Sequence, residues 1–143
     1  MEAGMLSEEF YSSKSNGKNI VVCFVDVDKL KIVNDTFGHE ERDNLLINVT
    51  NILKESKRKT DFIIRMGGDE FLIVFPNMTM KEVNNVWYKI CRAVETNDKN
   101  NDKYNLSLSD GFYEYSREIK KEMSINDLIR KADEEMYKNK IKD

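Results

Sequence analysis

The sequence has little of several residue types, and each shortage excludes a class of protein. One histidine in 143 residues rules out a zinc site built from several histidines. No run of 18 apolar residues occurs, so we expect no membrane-spanning segment. The net charge is −3, so the chain lacks the overall positive field that would attract nucleic acid. Any phosphate-binding site must therefore be local.

Cysteine is also scarce. Cys23 and Cys91 lie inside apolar stretches without a partner spacing, so we expect reduced core thiols and a cytoplasmic location. The length allows one domain with a core. Residues 1–19 are polar and mixed, which predicts a leader or the end of a segment from a longer chain. A short helix at 5–13 is compatible with this pattern.

Apolar periodicity predicts the element order β-α-α-β-β-α-β-α. Strands are expected at 20–25, 62–65, 71–75 and 104–108, the first of them covered on both faces. We expect Asp28 to cap a short helix that ends near Asn34, and Gly111 to interrupt the last strand. Apolar stripes predict three longer helices: Leu45, Leu46, Val49, Ile52 and Leu53; Val83, Val86, Trp87, Ile90 and Val94; Ile125, Leu128, Ile129, Ala132 and Met136.

The segment at 96–103 has no core residues and is expected to be a loop. The simplest packing of these elements is an α+β sandwich, a mixed or antiparallel sheet with helices packed on it.

The stretch RMGGDEF joins two apolar runs and predicts a hairpin that turns on its glycines. Acids are poor strand formers, so Asp69 and Glu70 indicate a role beyond folding. Asp26 ends the first strand, and it converges with Asp69 if the hairpin pairs beside that strand. Two facing carboxylates repel unless a cation lies between them, and oxygen ligands suit Mg²⁺ or Mn²⁺.

Magnesium held by few carboxylates keeps positions open for phosphate oxygens, which suits phosphoryl or nucleotidyl transfer. Gly67 and Gly68 would let a triphosphate approach the backbone. Asp26 and Glu70 also have a purely structural interpretation. Asp26 then ends a strand at a turn, and Glu70 is a strand residue that faces solvent.

Three motifs, in this order, resemble the GGDEF family of diguanylate cyclases over about 21–140. They are DVDKLKIVNDTFGH after the first strand, GGDEF itself, and ADEEMYKNK in the last helix. The resemblance implies a nucleotidyl cyclase or polymerase palm fold for residues 20–143. It further implies that two GTP molecules are joined into cyclic di-GMP with release of two pyrophosphates. The resemblance also implies Mg²⁺ or Mn²⁺ as the cofactor. It implies a transient homodimer with one GTP per domain, and a fused sensor domain.

The resemblance assigns catalytic and metal-binding roles by position. Asp26, Asp69 and the Val27 carbonyl would ligate the metal ion, and Glu70 would assist. Asp69 would also be the base or the orienting group for the 3′-hydroxyl.

Substrate contacts are implied in the same way. Asn34 and Asp43 would read guanine, since a carboxylate accepts its N1–H and amine together while an amide both donates and accepts. His39 would lie at the edge of the substrate, or be only a turn residue. Lys31 and Lys140 would contact phosphates.

Arg58 and Asp61 match the R-x-x-D inhibitory site of the family, which implies inhibition by the product; the alternative is a surface charge pair. The sequence departs from the family pattern at Arg42, where glycine is usual, and at Leu30, where an aromatic residue is frequent. The alternative to a cyclase is a weak or inactive domain that signals by binding GTP or cyclic di-GMP.

Overall fold

The computed structural model describes residues 19–98, 107–116 and 123–142. The elements within them are β1 (Ile20–Val27), α1 (Leu30–Phe37), α2 (His39–Ser56), β2 (Phe62–Arg65), β3 (Glu70–Pro76), α3 (Met80–Asp98), β4 (Leu108–Tyr115) and α4 (Ile125–Lys142). This is the order predicted from the sequence. The three apolar stripes lie on α2, α3 and α4, as expected.

The four strands form one antiparallel sheet in the order β2-β3-β1-β4. All eight residues of β1 are buried, which confirms the prediction of a strand covered on both faces. The α+β prediction is therefore confirmed, with every neighbouring pair of strands antiparallel.

Alternation along the strands separates two cores. Odd-numbered residues of β1, such as Cys23 and Val25, pack against α1, α2 and α3. Even-numbered residues, such as Val22 and Phe24, pack against α4. No helix in the described part of the chain is both long enough and apolar enough to cross a membrane.

The predicted cap at Asp28 is wrong. Helix α1 follows Lys29, which has φ of 61° and makes no side-chain cap bond, and it continues past Asn34 to Phe37. Asp28 instead accepts hydrogen bonds from the hydroxyls of Ser107 and Ser109. Because those serines flank the start of β4, Asp28 ties β4 to the end of β1.

Gly111 does not interrupt β4, contrary to the prediction. Strand β4 continues from Leu108 to Tyr115, and Gly111 pairs with Phe24 of β1. A Cβ at Gly111 would lie 2.0 Å from the backbone nitrogen of Met136 in α4. The glycine therefore allows helix and sheet to touch.

The boundary of the predicted loop at 96–103 is also wrong, since α3 extends to Asp98. The rest of that loop, the predicted strand residues Tyr104 and Leu106, and the leader up to residue 18 lie outside the described residues.

Candidate functional site

The pairing of β1 with β3 brings the predicted acids together. Asp26 lies opposite Glu70 in the ladder, and the Val27 N–H donates to the Asp69 carbonyl at 3.1 Å. The carboxylate of Asp69 lies close enough to Asp26 for its negative charge to raise the pKa of Asp26. Alternation places the side chains of Asp26 and Glu70 on the face that α4 covers, and Lys140 of α4 reaches Asp26 there.

The electrostatics of these groups follow from burial and like charge. Burial raises the pKa of Asp26 to about 6; the hydrogen bond from Lys140 opposes this rise, and the negative charge of Asp69 adds to it. Burial also raises the pKa of Glu70, helped by Asp69 and Asp133. The pKa of Lys140 is raised by its hydrogen bond to Asp26. Negative charge is therefore concentrated around one ammonium group.

The acids suit a magnesium ion better than a zinc or calcium ion. Among the described residues no three His, Cys, Asp or Glu side chains form a cage for a metal ion. Mg²⁺ in proteins commonly uses one or two carboxylates and completes its shell with water and substrate phosphates. Oδ1 of Asp26 is buried without a hydrogen-bond partner, and such an oxygen is a free ligand. The donor set therefore fits Mg²⁺ or Mn²⁺.

A cavity of about 230 Å³ opens beside the acids. Its wall consists of Leu30, Arg42, Asp43, Leu46, Arg65, Gly68 and Asp69. Asp69 thus belongs both to the acid pair and to the cavity wall. Two apolar side chains with a carboxylate at the rim form a surface on which a planar, hydrogen-bonding group such as a purine would fit.

Asn34, the other residue expected to read guanine, lies one helical turn after Leu30 on α1, hence on the same side of the helix. Its Oδ1 is buried and has no hydrogen-bond partner. An unpaired amide oxygen near this cavity would accept a bond from a ligand. Lys31 and His39 are exposed, on α1 and at the start of α2, and neither belongs to the cavity wall.

Arg42, which stands where the family usually has glycine, contacts the predicted base reader. Its Nη2 lies 3.2 Å from Oδ1 of Asp43, and its Nε lies 3.4 Å from the same oxygen. One of the two oxygens that guanine would need is therefore already an acceptor for Arg42.

Arg65 was missed by the sequence interpretation. Its guanidinium donates to the carbonyls of Gly67 and Gly68 at 3.1 and 2.8 Å, so it fixes the turn that carries Asp69. A Cβ on Gly68 would meet nothing within 4 Å, which leaves the open approach expected for a phosphate chain. The signal was a charged residue two positions before Gly67, at the end of an otherwise buried strand.

The predicted inhibitory pair lies elsewhere. Arg58 holds Asp61 through Nε at 3.0 Å and Nη2 at 2.7 Å, and Nη2 also donates to the Pro76 carbonyl at 2.9 Å. Pro76 pairs with Ile20, at the opposite end of β1 from Asp26. Six residues of strand separate the two sites by about 20 Å. The side chain of Asp61 is fully buried, so only Arg58 is accessible to a ligand.

Comparison with known proteins gives the family and the fold of the chain. The family model "Diguanylate cyclase, GGDEF domain" matches residues 3–143. The chain is 35% identical over 130 residues to the uncharacterized protein YtrP of Bacillus subtilis (strain 168), covering 91% of this chain and 21% of YtrP. It is 30% identical over 141 residues to diguanylate cyclase A of Treponema denticola, covering 95% of this chain and 37% of that protein. The chain thus spans between a fifth and two fifths of the length of these relatives.

Among solved structures, the GGDEF domain of DgcB from Caulobacter crescentus, in complex with c-di-GMP, superposes with a TM-score of 0.87. The two share 24% identity over 98% of this chain and 82% of the other, so this match supports the palm-like fold. The match of the family model over nearly the whole sequence identifies the chain. It belongs to the GGDEF diguanylate cyclase family.

Proposed function

We propose that this domain is a Mg²⁺-dependent diguanylate cyclase that joins two GTP molecules into cyclic di-GMP. In each of two steps a 3′-hydroxyl oxygen bonds to the α-phosphorus of the other GTP. The bond from that phosphorus to the bridging oxygen of the β-phosphate breaks, and pyrophosphate leaves. Each domain holds one GTP, so two copies of the chain must face each other. No oxidant or further reactant is needed.

The observation that carries this proposal is the double position of Asp69. It lies beside Asp26 and also in the wall of the cavity that contains Asp43. A nucleotide with its base in the cavity would therefore present its phosphates to the acids. The family membership supports the same assignment, and diguanylate cyclase A of Treponema denticola carries the activity in its name.

The proposed metal ligands are Asp26, Asp69 and the Val27 carbonyl, with Glu70 assisting. A bound divalent ion would orient the phosphates and neutralise the charge that develops on the leaving pyrophosphate. Asp69 would orient the 3′-hydroxyl and accept its proton. Asp26 would remain fixed by β1, since its strand is hydrogen-bonded on both sides.

Base and phosphate contacts complete the proposal. Asn34 and Asp43 would select guanine over adenine, because adenine lacks donors that match the Asp43 carboxylate. His39 would lie at the edge of the substrate, and Lys31 and Lys140 would contact phosphates. Nothing in these roles requires a helix or strand to move.

The test is incubation with GTP and Mg²⁺, followed by chromatography for cyclic di-GMP. Wild type should form the product at a rate that rises more than linearly with protein concentration, since two copies cooperate. Asp69→Asn, which keeps size but removes the charge, should lose at least about 100-fold in rate. A linear dependence on concentration, or full activity in Asp69→Asn, contradicts the proposal.

A second candidate is a domain that binds GTP or cyclic di-GMP without turnover. The bond between Arg42 and Asp43 favours it, because that bond occupies an oxygen needed for guanine. Saturable nucleotide binding by calorimetry without product would support this candidate.

A further inference from the structure

Asp26 is a buried acid that is only half satisfied. Its side chain is 8% exposed, Lys140 donates to its Oδ2, and its Oδ1 is buried without a partner. A carboxylate removed from water needs a counter-charge, and the neighbouring carboxylate of Asp69 increases that need. In this structure Lys140 supplies the counter-charge.

The Lys140 ammonium group can move away from Asp26 without a change in the fold. Its side chain is 43% exposed, and it stands near the end of α4, so the ammonium group can return to water while the helix stays in place. A Lys side chain donates through a flexible stem and is a compact point charge. It is therefore a suitable occupant for a position that another cation also needs.

We infer that Lys140 is the resident counter-ion of the acid pair and competes with the divalent ion for Asp26. This inference rests on the proposed function, since it takes Asp26 as a metal ligand. The ammonium group on Oδ2 and a divalent ion on the unpartnered Oδ1 would share one carboxylate, and two cations this close would repel each other. Lys140 is then released when the ion enters, at the moment when phosphates arrive with it.

Metal binding to the whole chain, measured by calorimetry with Mn²⁺ and without nucleotide, tests the inference. Lys140→Met keeps length and apolar character but removes the charge. We expect it to bind Mn²⁺ on the order of 3- to 10-fold more tightly than wild type, as for removal of a half-exposed ion pair. In EDTA the same variant should melt at a lower temperature than wild type, because Asp26 has lost its counter-charge.

Two further variants separate competition from a general effect on folding. Lys138 lies on the same helix, and its ammonium group donates to the exposed Glu135 at 3.1 Å. Lys138→Met should therefore leave the Mn²⁺ affinity unchanged. Lys140→Arg keeps a cation and should return the affinity to about the wild-type value. If Lys140→Met fails to fold, Lys140→Arg is the informative variant. Tighter Mn²⁺ binding by Lys140→Arg, which keeps the positive charge, would overturn the inference.

The possible failures are distinct. If wild type binds Mn²⁺ and Lys140→Met binds it equally or more weakly, the competition is wrong while the metal site stands. If wild type, Lys140→Met and Lys140→Arg all fail to bind Mn²⁺, both alone and with a non-hydrolysable GTP analogue, the metal site falls and the inference falls with it. If Asp26→Asn binds Mn²⁺ as tightly as wild type, Asp26 is not the shared ligand.

Discussion

The backbone N–H of Val27 donates to the carbonyl of Asp69 at 3.1 Å. This single bond joins the end of the most buried strand to a loop whose residues are partly exposed. The bond therefore fixes the position of the Asp69 loop relative to Asp26, although the two residues are 43 positions apart in the sequence. The position of Asp69 comes from strand pairing, and Arg65 secures the same loop from its other side.

The contact between Gly111 and α4 gives a prediction about stability. In Gly111→Ala the new Cβ would lie 2.0 Å from the Met136 nitrogen and 2.3 Å from the Ala132 carbonyl oxygen. Both are backbone atoms, so relief requires the helix to move away from the sheet. We expect a loss of at least about 3 kcal/mol in the free energy of unfolding. Urea denaturation followed by the fluorescence of Trp87, which is 7% exposed, measures it.

Gly68→Ala is the matched control, because a Cβ at Gly68 meets nothing within 4 Å. Its free energy of unfolding should stay within about 0.5 kcal/mol of wild type. Equal stability of the two alanine variants would show that α4 does not rest on β4 as described.

The inhibitory pair gives a prediction about feedback. Arg58→Ala should raise the level at which product accumulation stops, because the guanidinium that would bind cyclic di-GMP is gone. In wild type the inhibition should be non-competitive with GTP, since the Pro76 end of the sheet is about 20 Å from Asp26. Initial rates at several GTP and cyclic di-GMP concentrations distinguish non-competitive from competitive inhibition.

The same substitution should also destabilise the fold. The side chain of Asp61 is fully buried. In Arg58→Ala its carboxylate loses the hydrogen bonds from the guanidinium and keeps only the one from the backbone N–H of residue 58. We expect a loss of about 1–3 kcal/mol. Lys59→Ala, at an exposed neighbour, is the control for both measurements. Feedback that survives in a folded Arg58→Ala protein would argue that this pair is structural only.

The sequence predicted the fold well because its apolar patterns are strong. The continuous apolar run of β1 predicts a strand that is buried on both faces. The apolar stripes of α2, α3 and α4 each predict a helix with one buried face, and these residues do form the two cores. Errors occurred where the deciding contact is distant in sequence. Asp28 resembles a helix cap locally, yet it bonds serines about 80 positions away. Gly111 resembles a strand breaker, yet it is a point of contact with α4.

The candidate site was predictable in part for the same reason. A motif shows which residue types are present, and pairing of β1 with β3 then brings Asp26 and Asp69 together. The roles of Lys140 at Asp26 and of Arg65 at the glycines depend on side-chain directions that no local pattern contains. The roles of Asn34, His39 and Lys31 stay predictions.

Arg42 gives a prediction about nucleotide affinity. Arg42→Ala should free Oδ1 of Asp43 for guanine and tighten GTP binding by about 2- to 5-fold, which is the range for an exposed ion pair. Alanine is preferable to the glycine of the family, because glycine would weaken α2 by about 1 kcal/mol. Calorimetry with a non-hydrolysable GTP analogue measures the change. Asp43→Asn is the comparison: it should bind the GTP and ATP analogues with similar affinity. Weaker binding by Arg42→Ala would instead make Arg42 a direct contact to the nucleotide.

The raised pKa of Asp26 gives a prediction about pH. Its folded-state pKa is about 6 against an ordinary value of 3.8. Between these values the folded chain holds more protons than the unfolded chain, so the free energy of unfolding falls as the pH rises. Asp26→Asn lacks this titration. In EDTA, the stability of the variant relative to wild type should therefore increase from about pH 4 to about pH 6 and stay constant above, by about 1–3 kcal/mol in total. Acids remote from Asp26 contribute equally in both proteins and cancel in the difference. A difference that does not change with pH, or that shrinks as the pH rises, would mean that Lys140 fully compensates the buried charge.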